Sequence, residues 1–195
     1  MRQQLLTQAK EMFSQQGYVG ASLRGLAEQS GITAAAVYYH FAKKEDLLRE
    51  IVFEGLERLS QSVFGALAEP ASPEMTLEAV VRAHLRYNVE FPREARIIIE
   101  ESRFLNEVDY AAAREKQNAV LNVYRACIRQ LITAGQLPEV DPSVTAFSIT
   151  SVILGWYRWY REGGAVSKQD TFEFTVAFAM AGVLGLRQRH AGAPQ

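Results

Sequence analysis

Apolar residues recur in this chain with a period close to that of an α-helix, and this pattern constrains its fold more than any other feature. Near the start, Leu5, Ala9 and Phe13 follow one another at four-residue spacing, and Tyr124 and Ile128 repeat that spacing far downstream. Apolar residues three or four apart share one face of a helix, whereas a half-buried strand alternates every second residue. Because no stretch alternates for long, the sequence predicts an all-α protein.

Length and charge limit what such a helical chain can do. With 195 residues, of which 48% are hydrophobic, the chain can bury a substantial core, and this excludes a disordered protein. Its 21 Lys and Arg against 22 Asp and Glu give a net charge of −1. No global field therefore draws the chain to nucleic acid or to an anionic membrane, and any such binding has to be local.

Cysteine content and apolar segments bear on location. Cys127 is the only cysteine, so an intrachain disulfide is excluded and a reducing compartment is indicated. The chain starts with no apolar stretch of signal-peptide length, and its longest apolar run, 176–186, is short of the roughly 18 residues that a membrane span needs. The sequence predicts a cytoplasmic protein that does not bind a membrane.

Glycines and capping residues divide the first part of the chain into three short helices. Gly17 and Gly20 end the first helix, and Ser22 can cap the second. Gly31 breaks the second helix, and Thr33 can cap the third. Longer helices are expected from there on, at 44–67, 74–90, 93–105, 110–134, 142–161 and 168–187. This predicts a small N-terminal domain of residues 1–55 followed by a larger helical domain of residues 56–195.

The segment 22–41 fits a helix-turn-helix motif. Ala27 provides the small residue at which the two helices cross closely, and Gly31 can adopt the positive φ that reverses the chain in the turn. Leu26 and Val37 provide core residues of the first and second helix. These positions alone also suit an αα-hairpin in some other helical protein.

The segments that flank this motif carry a family resemblance. Residues 13–18 read FSQQGY, and residues 37–48 read VYYHFAKKEDLL. Together with the helix-turn-helix they closely resemble the DNA-binding head of the TetR family of one-component transcriptional regulators. The resemblance covers residues 1 to about 55 with specific motifs, and beyond them it is one of length and helix number. It implies a three-helix head joined by a long helix to a C-terminal body that binds a ligand and forms the dimer.

The resemblance implies which residues contact double-stranded DNA. Those at the start of the third helix face bases in the major groove, those at its end reach phosphates and neighbouring bases, and those on the second and fourth helices grip phosphates. The DNA-binding candidates are Ser22, Arg24, Thr33, Ala34, Ala36, Tyr38, Tyr39, His40, Lys43 and Lys44. Val37 and Phe41 are assigned to the core, and His40 suits packing at the helix end as well as a phosphate contact.

Two departures from the family pattern affect DNA recognition. Lys43 stands where many relatives carry a Ser or Asn cap, which gives up a cap worth about 1 kcal/mol but adds a cation. The run Ala34-Ala35-Ala36 has no long polar side chain, so recognition would rest on thymine methyl groups and DNA shape. Residues 1–50 have a net charge of only +1. Tight binding is therefore expected to need a dimer on a palindromic operator.

Small residues near the C-terminus predict the dimer interface. In the family, the helices corresponding to 142–161 and 168–187 form a four-helix bundle between subunits. Each of these segments has a stripe of small residues that lets helices approach closely. The interface candidates are Ser148, Ser151, Gly155, Ala177, Ala181 and Gly185. Packing within one subunit is the alternative.

Aromatic residues and arginines predict a ligand site in the body. The segment 155–164, GWYRWYREGG, places two arginines among four aromatic residues and is similar to a sequence in TetR-type regulators of lipid and acyl-CoA catabolism. The ligand candidates are Arg86, Tyr87, Arg103, Phe104, Tyr124, Trp156, Arg158 and Trp159. The expected effector is apolar with an anionic or thioester end, an acyl-CoA or a fatty acid. The alternatives are that the aromatic rings are plain core and that the arginines form solvated ion pairs.

The residues do not fit an enzyme, a metal site or a cofactor. A di-iron bundle needs Glu three residues before His, but Val37, Val81 and Arg187 precede the three histidines. Glu100 and Glu101 are adjacent, so they point about 100° apart on a helix and cannot act as an acid and base pair. The sequence favours a dimeric, ligand-released repressor. A helical ligand-binding protein without operator function is the second hypothesis, and an all-α enzyme is the third.

Overall fold

The structure of the protein is a computed structural model that describes residues 1–68 and 72–187. Across these residues the chain forms nine α-helices, one short 3₁₀ helix and no strand, which confirms the all-α prediction. The α-helices are α1 Arg2–Gly20, α2 Leu23–Ser30, α3 Ala34–His40, α4 Lys44–Gly65, α5 Pro73–Glu90, α6 Pro92–Glu100, α7 Glu107–Thr133, α8 Pro142–Trp159 and α9 Lys168–Leu184. None of these helices is both long enough and apolar enough to cross a lipid bilayer.

The chain forms two compact units. Met1–Arg58 and Phe91–Lys116 make the head unit, and Leu59–Glu90 and the chain from Gln117 onward make the body unit. Helices α4 and α7 each begin in the head unit and end in the body unit. A compact unit is defined by packing and a functional domain by activity, so the division into residues 1–55 and 56–195 stays a prediction.

Local capping explains where the short helices of the head unit begin. The Ser22 hydroxyl accepts a hydrogen bond from the Gly25 amide at 3.0 Å, and the Thr33 hydroxyl accepts one from the Ala36 amide at 3.2 Å. Each cap satisfies an amide that has no partner inside its own helix. Gly31 ends α2 with a φ of 64°, which a residue with a Cβ rarely adopts. The turn between α2 and α3 is therefore built as the sequence predicts.

Helix α6 is held in the head unit by a carboxylate that meets two cations. Glu94 is 6% exposed; its side chain accepts a hydrogen bond from the Lys10 ammonium at 2.7 Å and pairs with the Arg58 guanidinium. Lys10 belongs to α1 and Arg58 to α4, so one side chain ties three helices together. A buried carboxylate is stable only when it is paired in this way.

Helices α6 and α8 end earlier than expected, and an aromatic side chain packs back on the protein shortly after each end. The helix expected at 93–105 stops at Glu100; after the 3₁₀ turn the Phe104 ring stacks on Tyr18 with centroids 5.1 Å apart. Helix α8, expected to run to residue 161, stops at Trp159. There Tyr160 is extended and stacks on Trp156 at 4.7 Å.

Helices α5, α8 and α9 pack against one another in the body unit. The Asn88 amide of α5 donates to the Ile153 carbonyl of α8 at 3.2 Å, and Arg82 of α5 pairs with Glu173 of α9 at 2.8 Å. Asp141 caps α8 and Ser167 caps α9, as the sequence predicts. Helix α7 adds Tyr124 to the same core.

Candidate nucleic-acid interface and ligand site

Helix α3 buries one side and exposes the other. Val37 is fully buried and Phe41, which follows the helix, is 2% exposed, so both belong to the core as predicted. Tyr38 is 48% exposed and Tyr39 is 86% exposed. The Tyr39 ring meets the His40 ring edge-on, with centroids 5.1 Å apart. A large aromatic residue left in water at a helix end is typical of a surface that meets a partner.

The start of α3 is lined by small side chains. Thr33 and Ala35 are exposed, and Ala34 and Ala36 are half-buried. Side chains of this size allow the helix backbone to approach a groove closely, and they offer methyl groups to it. The hydroxyls of Ser22 and Thr33 accept hydrogen bonds as caps, so each O–H remains able to donate to an acceptor such as a phosphate oxygen.

The three candidate cations differ in their surroundings. Lys44 donates to the Tyr18 carbonyl at 2.6 Å and to the Ala21 carbonyl at 2.8 Å, and it lies over the Tyr18 ring. Burial lowers the pKa of this ammonium. Lys43 is exposed; its hydrogen bond to Glu45 raises the pKa of its ammonium. Arg24 is exposed on α2.

Sequence reasoning missed the structural role of Lys44. Its two carbonyl partners are those of Tyr18 in α1 and of Ala21, which follows α1. Both precede Lys44 by more than twenty residues, so no local sequence pattern predicts the contact. The side chain closes the end of α1, where unpaired carbonyls collect. Two of the three N–H donors of the Lys44 ammonium are used there, which leaves one donor.

The predicted ligand residues are divided between the two units. Phe104 stacks on Tyr18 in the head unit, and the Arg103 guanidinium lies over the Phe104 ring at 4.9 Å. The remaining six belong to the body unit. Among them the aromatic residues Tyr87, Tyr124 and Trp156 are buried, whereas Arg86, Arg158 and Trp159 are exposed. The arginines of this set therefore lie at the surface together with Trp159, and the other three aromatic residues of the body unit lie in the core.

The structure adds to the predicted ligand residues a buried polar pair that sequence reasoning did not recognise. Nδ1 of His84 on α5 is 3.1 Å from the hydroxyl of Tyr124 on α7. His84 is 3% exposed, and its burial lowers the pKa of the imidazole to about 4. Burial raises the pKa of Tyr124 well above its usual value. A histidine between the apolar residues Ala83 and Leu85, one helical turn from Val80 and Val81, was the sequence feature that could have revealed it.

Helices α8 and α9 present an apolar face to solvent. The predicted small residues of α9, Ala177, Ala181 and Gly185, are exposed. On α8, Ser148 and Ser151 are exposed and Gly155 is half-buried. An open groove of about 500 Å³ lies along the two helices. Large apolar side chains that sequence reasoning did not assign to this face are also exposed: Val144, Phe147, Phe174 and Phe178.

Metal-binding clusters and the thiol of Cys127 are the groups that bear on enzymatic chemistry. No group of three His, Cys, Asp or Glu side chains there is placed to hold a metal ion. Cys127 is buried, and burial raises the pKa of its thiol, which disfavours the nucleophilic thiolate.

Comparison with known proteins decides the family. Residues 5–51 match the family described as bacterial regulatory proteins, tetR family. Residues 70–183 match the family described as tetracyclin repressor-like, C-terminal domain, which covers more than half of the chain. The chain belongs to the TetR family. Membership makes this TetR-family chain a DNA-binding transcriptional regulator and not an enzyme, which confirms the function predicted from the sequence.

Relatives of this TetR-family regulator span nearly its whole length. The HTH-type transcriptional repressor KstR2 of Mycobacterium tuberculosis is 26% identical over 190 residues, which is 93% of this chain and 92% of KstR2. The HTH-type transcriptional activator FasR of Mycolicibacterium smegmatis is 24% identical over 185 residues, or 93% of this chain and 82% of FasR. The structure of AibR in complex with isovaleryl coenzyme A and operator DNA has a TM-score of 0.83 at 23% identity, over 94% of this chain and 97% of AibR.

Proposed function

We propose that this TetR-family regulator is a repressor that binds a palindromic operator as a homodimer and is released by an acyl-CoA. The observation that carries the proposal is the exposed recognition helix α3, with Tyr39 86% in solvent on a firmly packed head. The repressor KstR2, similar over nearly the whole chain, supports the direction of regulation.

The proposed DNA interface comprises the ten predicted residues in three groups. Ala34 and Ala36 would face bases, together with the exposed Thr33. Tyr38, Tyr39 and His40 would contact bases and phosphates at the other end of α3. Ser22, Arg24, Lys43 and the third donor of Lys44 would bind phosphates, which fix the register of the helix on the duplex.

The proposed dimer partner is a second copy of this chain, seated on the apolar face of α8 and α9. Helix α9 is apolar on both sides: Val176, Met180 and Val183 are buried within the subunit, while Phe174 and Phe178 are exposed. A helix that is apolar all round buries its second side against another body. The low charge of the head supports the same conclusion, since two heads double the phosphate contacts.

The proposed ligand site lies in the body unit, with Tyr87, Tyr124 and Trp156 around the acyl chain and Arg86 and Arg158 toward the phosphates of coenzyme A. Each buried CH₂ of such a chain contributes about 0.8 kcal/mol. AibR, which shares the fold, is described with isovaleryl coenzyme A and operator DNA. The effector acts by preferring a state in which the two recognition helices no longer match successive major grooves. A preference of about 1.4 kcal/mol lowers operator affinity tenfold.

Release of a selected operator tests the whole proposal. The full-length protein would select a duplex from a random-sequence library, and fluorescence anisotropy would follow its binding at fixed salt. Acyl-CoA thioesters of increasing chain length are expected to release the duplex with rising potency up to an optimum, while coenzyme A alone has little effect. Release by a planar cation, with no effect of any acyl-CoA, would contradict the ligand assignment and leave DNA binding standing. Failure to select any sequence would contradict operator binding itself.

A further inference from the structure

The buried pair of His84 and Tyr124 has one polar atom left over. Tyr124 is 0% exposed and His84 is 3% exposed, so neither side chain reaches bulk water. The pair joins α5 to α7 through the contact of 3.1 Å between Nδ1 and the phenolic oxygen. Nε2 of His84 is buried and has no hydrogen-bond partner among the residues that the structure describes. Leaving such a group unpaired costs about 1 to 3 kcal/mol.

This nitrogen lies on one of the three helices that supply the proposed ligand site. One turn further along α5, Asn88 is 2% exposed and its side-chain amide donates to Ile153 of α8. The pair and Asn88 thus connect α5, α7 and α8, the same three helices that supply Tyr87, Tyr124 and Trp156. A polar group in an otherwise apolar ligand site fixes the orientation and identity of the ligand.

The hydrogen on the imidazole can be assigned from its partner. Tyr124 has one hydroxyl hydrogen, and His84 is the only hydrogen-bond partner that the described residues give it. A buried phenol donates that hydrogen, so Nδ1 accepts it. Burial keeps the imidazole neutral at pH 7 because its pKa is lowered to about 4. A neutral ring that accepts at Nδ1 carries its own hydrogen on Nε2, which makes Nε2 a donor.

We propose that Nε2 of His84 donates a hydrogen bond to the thioester carbonyl oxygen of the bound acyl-CoA and thereby selects a neutral acceptor over a free carboxylate. This inference rests on the proposed function, because it names the group of the ligand that the same site recognises. A carboxylate at this depth would need a buried cation, and Arg86 and Arg158 of the proposed site are exposed.

A pair of matched probes isolates this contact. Octanoyl-CoA and the thioether S-octyl-CoA differ only in having C=O or CH₂ next to sulfur. Their affinities for the full-length protein, measured by titration calorimetry, are expected to differ about tenfold in favour of the thioester, the effect of one ordinary hydrogen bond at a buried site. In His84→Phe the preference should disappear. The matched control Cys127→Ala changes a buried residue one turn from Tyr124 and should keep it.

Ring ¹⁵N spectra of the wild-type protein give a second measurement that needs no variant to fold. The Nε2 resonance of His84, one of three histidines, should shift when octanoyl-CoA binds and shift less with S-octyl-CoA. Equal affinities for the two probes, an unmoved resonance, or loss of the preference in Cys127→Ala would overturn the role of His84. An internal water that pairs with Nε2 would give equal affinities for the two probes. If neither probe binds the protein or releases it from the operator, the proposed ligand class fails together with the inference. That result differs from equal binding of both probes, which overturns the role of His84 alone.

Discussion

The ring of Tyr39, near the end of the recognition helix α3, is almost wholly exposed to water. Removing the ring in Tyr39→Ala is expected to change the free energy of unfolding by less than about 0.5 kcal/mol, because an exposed side chain contributes little to stability. Operator affinity should fall about tenfold, the scale of one lost contact to a base or phosphate. Urea denaturation and anisotropy measure the two effects.

The control for this variant is Tyr110→Ala, which removes a ring that is 39% exposed elsewhere in the head unit. It should leave operator affinity unchanged. Equal losses of affinity in both variants would show that the effect of Tyr39 is not a DNA contact.

Substitution of the neighbours Lys43 and Lys44 distinguishes a lysine that contributes to DNA binding alone from one that also stabilises the fold. Lys43→Ala should lower the slope of log affinity against log salt by about one unit, since it removes one phosphate contact. Lys44→Ala should also lower the free energy of unfolding by about 1 to 3 kcal/mol, because the end of α1 loses two charge-assisted hydrogen bonds. An unaltered salt slope in Lys43→Ala would remove Lys43 from the interface.

His84 gives the protein a pH dependence of stability with a definite sign. Its pKa is about 4 when folded against 6.5 in an exposed chain. Above pH 6.5 the ring is neutral in both states and contributes nothing. Between pH 6.5 and 4 the unfolded chain takes up a proton that the folded one excludes, so stability falls by about 1.4 kcal/mol per pH unit.

Comparison with His84→Phe isolates this contribution from the other titrating groups, which both proteins share. From pH 7.5 to pH 5 the wild type should lose about 2 kcal/mol more than the variant. Tyr124 and Cys127 of α7 stay neutral throughout, since burial raises both pKa values. Parallel pH profiles of the urea midpoint in the two proteins would show that His84 takes up its proton equally in the folded and the unfolded chain.

At the scale of whole helices, the main exposed feature is the apolar face of α8 and α9. Ala181→Arg places a long charged side chain in the middle of that face, where a partner helix would bury it unpaired. Sedimentation is expected to show monomers, and operator affinity should fall with them. Ala111→Arg, an exposed alanine on α7, is the matched control and should remain dimeric. A monomeric wild type at micromolar concentration would contradict the proposed interface.

Helix starts could be predicted from the sequence and some helix ends could not. Ser22, Thr33 and Asp141 cap their helices through amides two or three residues away, so local sequence contains the whole interaction. The ends of α6 and the role of Lys44 depend on Tyr18, which is far away in sequence. The DNA-binding candidates lie within one local motif, whereas His84 becomes informative only when Tyr124 is brought beside it. Contacts between residues so far apart in the chain cannot be predicted from a short segment of its sequence.

Across the whole molecule, α4 is a single helix that serves two cores. Leu47, Leu48 and Ile51 are buried in the head unit, and Leu59 and Val63 are buried in the body unit. One residue inserted between Arg58 and Leu59 would change the phase between these two sets of side chains by about 100° around the helix axis. A chimaeric regulator that joins this head to a foreign body must therefore carry one continuous helix whose first half supplies the apolar residues of this head and whose second half supplies those of that body.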